Sequence, residues 1–165
     1  MKTIIYSSKT GNTELLANRI EELVGSKCSY CGLPGQCSDE IIENSELIYV
    51  GFWTDKGDAD EVTKTFLQSL YRKKIFLFGT AGFGGDEAYF SQILSKVQSH
   101  LDASNVVVGT YMCQGKMNIS VRRRYESMMD KQPEQMKHLI ENFDKASTHP
   151  DEADLEKLAK LVLAK

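Results

Sequence analysis

Three hydroxyl side chains, one amide and one glycine fall within six consecutive residues, Ser8-Lys9-Thr10-Gly11-Asn12-Thr13. A strand-like run, Lys2-Thr3-Ile4-Ile5-Tyr6, precedes them and a helix-period segment follows. At a helix N-terminus the backbone N–H groups point outward unpaired, and the helix dipole favours an anion there. Gly11 lets the main chain approach phosphate oxygens with no Cβ in the way. The set suits a phosphate monoester bound largely by neutral donors, with Lys9 directed to solvent. A Walker loop needs Gly-x4-Gly-Lys-[Ser/Thr], and a dinucleotide loop needs Gly-x-Gly-x-x-Gly after the strand. Neither pattern occurs here. The competing reading is a polar turn that only caps a helix.

Two more segments carry unusual chemistry. Gly51-Phe52-Trp53-Thr54-Asp55-Lys56-Gly57-Asp58 holds the only tryptophan of the chain. A flat ring system would gain buried area from that indole, and about 0.5–1.5 kcal/mol of stacking besides. Trp53 is the expected contact, while Phe52 either joins it or finishes a strand in the core. Gly79-Thr80-Ala81-Gly82-Phe83-Gly84-Gly85-Asp86 contains four glycines, so main-chain donors there can reach a ligand's polar edge. Thr80 adds a hydroxyl, and Phe83 and Tyr89 could cover an edge of the ring.

These segments need a scaffold that brings them together. Short apolar runs alternate with helix-period segments over the first two-thirds of the chain, the pattern of an α/β domain with a parallel sheet. Clear strands are expected at residues 2–6, 47–50, 75–78 and 106–108, with a short edge strand around 27–30. Helices are expected where Leu15, Leu16 and Ile20, then Val62, Phe66 and Leu70, then Ile93, Val97 and Leu101 recur. Right-handed crossovers then allow a doubly wound, five-stranded parallel sheet of order 2-1-3-4-5 with helices on both faces. In such a sheet the ligand sits beyond the C-terminal strand ends at the switch in strand order, where the segments after the first, third and fourth strands converge. The last third is more polar, with helices expected at 122–130 and 134–146 and a final amphipathic helix after His149-Pro150.

The loop at residues 8–13, placed after the first strand, resembles the FMN-phosphate signature of flavodoxins. The whole chain is similar to short bacterial flavodoxin-like proteins, some named as accessory flavodoxins of bilirubin reduction. It shares with them the segments 51–57, 78–82, 113–116 and 149–155. The resemblance implies FMN as cofactor, held by residues 8–13, 52–57 and 80–85, with residues 112–116 on the same rim. It also implies that the Lys56-Gly57 peptide flips on one-electron reduction, so that a carbonyl accepts a hydrogen bond from flavin N5–H. Gly57→Val should then lower the yield of the one-electron-reduced flavin. A carboxylate such as Asp55 or Asp58 near the ring would disfavour further negative charge on it. The implied function is single-electron carriage to or from a redox partner protein. The alternative is an FMN-dependent NAD(P)H or quinone reductase on the same fold, and a flavin-free binding module is the third reading.

Composition bounds the rest. The chain has 165 residues, 41% of them hydrophobic and 26% charged, with a formal charge of -3. That suits one domain spanning 1–165, most simply a monomer, and gives no electrostatic case for nucleic acid or an anionic membrane. No apolar run approaches the roughly 18 residues that span a bilayer. Met1-Lys2 leads straight into a strand, so a cytoplasmic setting is expected, with Cys28, Cys31, Cys37 and Cys113 as thiols. Three cysteines near one another do not make a zinc site, which usually takes four ligands. Arg122-Arg123-Arg124 reads as a solvated helix face, or as a docking patch for an acidic partner.

Overall fold

In the computed structural model, residues 1–84 and 86–165 are described. Five parallel strands, β1 (Lys2–Tyr6), β2 (Cys28–Gly32), β3 (Leu47–Asp55), β5 (Lys74–Ala81) and β6 (Val106–Gln114), form a sheet in the order β2-β1-β3-β5-β6. The two-residue β4 (Asp58–Ala59) pairs antiparallel with the end of β3. Counted along the chain without β4, the parallel order is 2-1-3-4-5, as expected.

Side chains alternate across a strand, so each strand feeds two cores. Ile5, Ile48, Val50, Phe52, Ile75 and Leu77 face α3 (Glu61–Gln68) and α4 (Glu87–Gln98), where Leu67, Ile93 and Val97 meet them. Ile4, Tyr49, Phe76 and Phe78 face α1 (Asn12–Val24) and α7 (Glu152–Leu163), packing on Leu16, Ile20, Leu158 and Val162. The remaining helices are α2 (Asp39–Asn44), α5 (Ile119–Ser127) and α6 (Pro133–Ala146). None of the helices among the described residues is long and apolar enough to cross a membrane.

Two elements depart from expectation. Strand β3 continues to Asp55 instead of ending at Val50, because Phe52 and Trp53 pair in register with Gly79 and Thr80 of β5. The pairing needs glycine at 79, since a Cβ there would run into the Phe52 ring. Helix α5 starts at Ile119, ahead of the expected 122, because the Asn118 side chain accepts from the Ser120 amide and caps it. Pro150 stands one residue before the N-cap Asp151 of α7, so the final helix begins after it.

Candidate functional site

The first strand delivers the chain to the sheet's C-terminal edge, where Ser7 donates to the Gly51 carbonyl at 3.1 Å. Gly11 then takes φ +86° and its carbonyl opens α1, accepting from Leu15 at 3.0 Å. A Cβ at Gly11 would meet nothing within 4 Å, so glycine is there for its conformation and for open approach. The first-turn amides of Asn12 and Thr13 have no acceptor inside the helix, as at any helix start.

Three side chains of this loop have structural duties beyond those the sequence suggested. Thr13 is fully buried, and its hydroxyl donates to the Phe52 carbonyl at 3.0 Å and pairs with the Thr80 hydroxyl at 3.1 Å. Asn12 Nδ2 donates to the Lys116 carbonyl at 2.8 Å and to Thr10 Oγ1 at 2.9 Å. Ser8 Oγ accepts from the Glu14 amide at 3.3 Å. A buried polar group must find a partner or lose free energy, and these bonds supply one. Thr10 Oγ1 is engaged as well, accepting from Asn12 Nδ2 at 2.9 Å and donating to the Lys116 carbonyl at 3.4 Å, so the donor set facing the cleft is mainly main-chain N–H.

At the end of β3 the side chains divide. Phe52 is fully buried in the core, which decides between its two readings: it does not line the cleft. Trp53 is half-buried on the cleft wall, with Lys9 Nζ 4.9 Å from its ring centre, so Lys9 lies over the indole instead of reaching freely to solvent. Thr54 Oγ1 donates to the Thr80 carbonyl at 2.8 Å and ties the wall to β5. Lys56 and Gly57 have φ +51° and +78°. Two successive positive φ values make the tight hairpin turn whose twist matches its strands. Asp55 lines the cleft, whereas Asp58 turns away from it. Asp58 is buried against His100 Nε2, at 2.9 and 3.0 Å, and accepts from the Ala59 amide at 2.7 Å. Burial works against its charge, but His100, the Ala59 amide and Lys64 outweigh it and hold the carboxyl below its ordinary value. The suggestion that Asp58 acts on a bound ring is thereby corrected.

After β5, Thr80, Ala81, Gly82 and Phe83 line the same cleft. The Gly82 carbonyl accepts from Gln114 Nε2 at 3.0 Å and from Asn142 Nδ2 at 3.1 Å. Gly84 does not line the cleft, and Gly85 lies outside the described residues. On the far side stand Tyr89 and a wall that sequence reasoning missed: Met117, Asn118, Val121, Arg124 and Tyr125, carried by α5 and the turn before it. Val121 and Tyr125 sit at i and i+4, the available signal, but the surrounding Arg and Glu residues hid it. Met117 packs so closely on Gly82 that a Cβ there would collide with it.

The whole forms one cleft of about 570 Å³, within the usual size of small-molecule sites. The segment 115–118 joins its two ends. The Lys116 carbonyl holds Asn12, while the Lys116 amide donates to the His149 carbonyl at 2.9 Å. His149 Nδ1 is in turn 2.6 Å from Asp154, a member of the capping box that starts α7. The cysteines stand elsewhere as thiols. Burial, helped by Glu21, pushes Cys31 up to about 12, and burial raises Cys28 and Cys37 as well.

Residues 3–163 match the flavodoxin domain family. The flavodoxin-like domain-containing protein BilS of Clostridium symbiosum (strain WAL-14163) is 38% identical over 169 aligned positions, covering 92% of this chain and 88% of that protein. Two-electron reduced Megasphaera elsdenii flavodoxin superposes with a TM-score of 0.57 at 19% identity, covering 100% of both chains. A flavoprotein from Lactobacillus acidophilus NCFM, solved in complex with FMN, gives 0.51 at 18% identity and covers 68% of this chain and 92% of its own. At these identities the two structures speak for the fold alone.

Proposed function

The chain belongs to the flavodoxin domain family, and from that premise we propose that its cleft binds FMN and that the protein carries single electrons between redox partner proteins. One observation carries the reading: a single cleft among the described residues runs from the open N-terminus of α1 to the half-buried Trp53. The residues suit the cofactor. The amides of residues 10–13, opened by Gly11, are neutral donors for a phosphate monoester. Trp53 and the segment 80–83 form the walls for a flat ring, with the Thr54 hydroxyl bonded to the Thr80 carbonyl and the Thr80 hydroxyl paired with Thr13, so both are held in place. When bound there, FMN supplies one- and two-electron chemistry.

The chain's own residues set the conditions for that chemistry. Gly57 tolerates either sign of φ, so the Lys56-Gly57 peptide can reverse its carbonyl at little cost. Asp55 places a negative charge on the cleft wall, which opposes gain of negative charge nearby. The α5 wall and Phe83 add apolar surface to the cleft lining. A cytoplasmic setting accords with four cysteines kept as thiols.

The test is a titration of the purified apoprotein with FMN and with riboflavin, followed by visible absorbance and by Trp53 fluorescence. FMN should bind with quenching of the indole and more tightly than riboflavin. A protein that takes up neither would refute the reading. Rapid oxidation of NAD(P)H by the loaded protein alone would transfer the proposal to the reductase alternative.

A further inference from the structure

The charge around the cleft is opposite to that of the molecule. The chain carries a formal charge of -3, yet the cleft is lined by Lys9, Lys56, Lys116 and Arg124 against the single carboxylate of Asp55. The four cations come from four separate segments: the loop before α1, the β3–β4 turn, the turn after β6, and α5. All four are exposed, and none makes an ion pair among the described residues. Lys9 rests on the face of Trp53, which holds its position without neutralising its charge. The neighbouring Arg122, by contrast, is satisfied by Asp144 and Glu126.

We infer that these four residues form a docking collar for the acidic surface of a partner protein, an inference that rests on the proposed role of this cleft. Four like charges that a single carboxylate cannot balance repel one another, and an anionic surface placed over them relieves that repulsion. Donors that bind a small anion converge and are part-buried, whereas these four residues are exposed and lie on separate segments. A protein face spans such a ring. The collar surrounds the place where an electron enters or leaves, so the steering field points a partner at the cleft. Docking here is favoured by low ionic strength and weakens as salt rises.

The experiment is calorimetric titration of the protein with an acidic plant-type ferredoxin as probe, with and without FMN, at low and at moderate salt. Binding should weaken with salt. Lys56→Glu combined with Arg124→Glu should weaken it about tenfold at low salt, since exposed charge pairs contribute modestly one by one. Lys96→Glu combined with Lys160→Glu makes the same change in net charge on α4 and α7, and should leave the affinity nearly unchanged. Equal effects of the two double variants would overturn the inference, as would affinity indifferent to salt. So would saturable binding of NADP⁺ that the collar variant abolishes while ferredoxin fails to bind. A protein that binds ferredoxin but no FMN would refute the proposed function and leave the collar standing.

Discussion

Replacing Gly11 by alanine isolates the conformational demand of the phosphate-binding turn. Gly11 sits at φ +86° and an added Cβ would touch nothing within 4 Å, so no packing change obscures the effect. Holding an L-residue in the left-handed region costs roughly 1–2 kcal/mol. Part of that is offset because alanine stiffens the unfolded chain, worth about 0.4–1 kcal/mol. The net loss of apoprotein stability is then about 0.8 kcal/mol. With a urea slope of about 2 kcal/mol/M, the midpoint should fall by roughly 0.4 M. Gly57→Ala is the paired variant, because it has the same open surroundings at φ +78° and should lose a similar amount. The two separate when ligand is added. The methyl group at 11 projects where the phosphate would approach, so Gly11→Ala should weaken FMN more than riboflavin, whereas Gly57→Ala should affect the two flavins alike. Stability losses would be read by urea unfolding of the apoproteins, and affinities by fluorescence titration. If Gly11→Ala leaves stability intact, the conformational argument fails; if it weakens riboflavin as much as FMN, the assignment of the α1 N-terminus to phosphate is wrong.

Trp53→Ala should weaken FMN and riboflavin together, by about tenfold if the ring gains the upper end of an aromatic stacking contribution; equal affinity in the variant would remove Trp53 from the site. Gly79→Ala drives a Cβ into the Phe52 ring, so it should destabilise the apoprotein by about 1–3 kcal/mol, more than either positive-φ variant. For Asp58 the folded carboxyl lies below its unfolded value, so its stabilising contribution is present above about pH 4 and fades as pH falls through the folded value. The gap in urea midpoint between wild type and Asp58→Asn should accordingly be widest near pH 6 and shrink below pH 4. Cys31, raised to about 12, should react with iodoacetamide at pH 8 far more slowly than free cysteine.

What could be read along the chain were the features set by neighbours in sequence. A parallel strand buried on both faces leaves a continuous apolar run, as at residues 75–78, and a helix packing by one side leaves a 3.6-residue period, as at Leu16 and Ile20. Together with the handedness of crossovers these allowed the strand order that the fold adopts, and the order dictated which loops meet. The glycine before α1 and the lone tryptophan after the third strand were legible for the same reason: their chemistry is carried by the residues themselves. Folding alone decided how the polar side chains of the loops are used. Thr13, Asn12 and Ser8 could all have faced a ligand, but Thr13 and Asn12 find partners at Phe52, Thr80 and Lys116, 39, 67 and 104 residues away along the chain. Phe52 followed the alternation of its strand into the core once Gly79 left room for its ring. The wall supplied by α5 and the ring of unpaired cations had no local signature either. Val121 and Tyr125 are two apolar residues in a polar helix, and Lys9, Lys56, Lys116 and Arg124 are ordinary surface residues until the topology carries their four segments to one edge of the sheet. Charge and burial depend on what lies across space, and that information exists only after the chain has closed on itself.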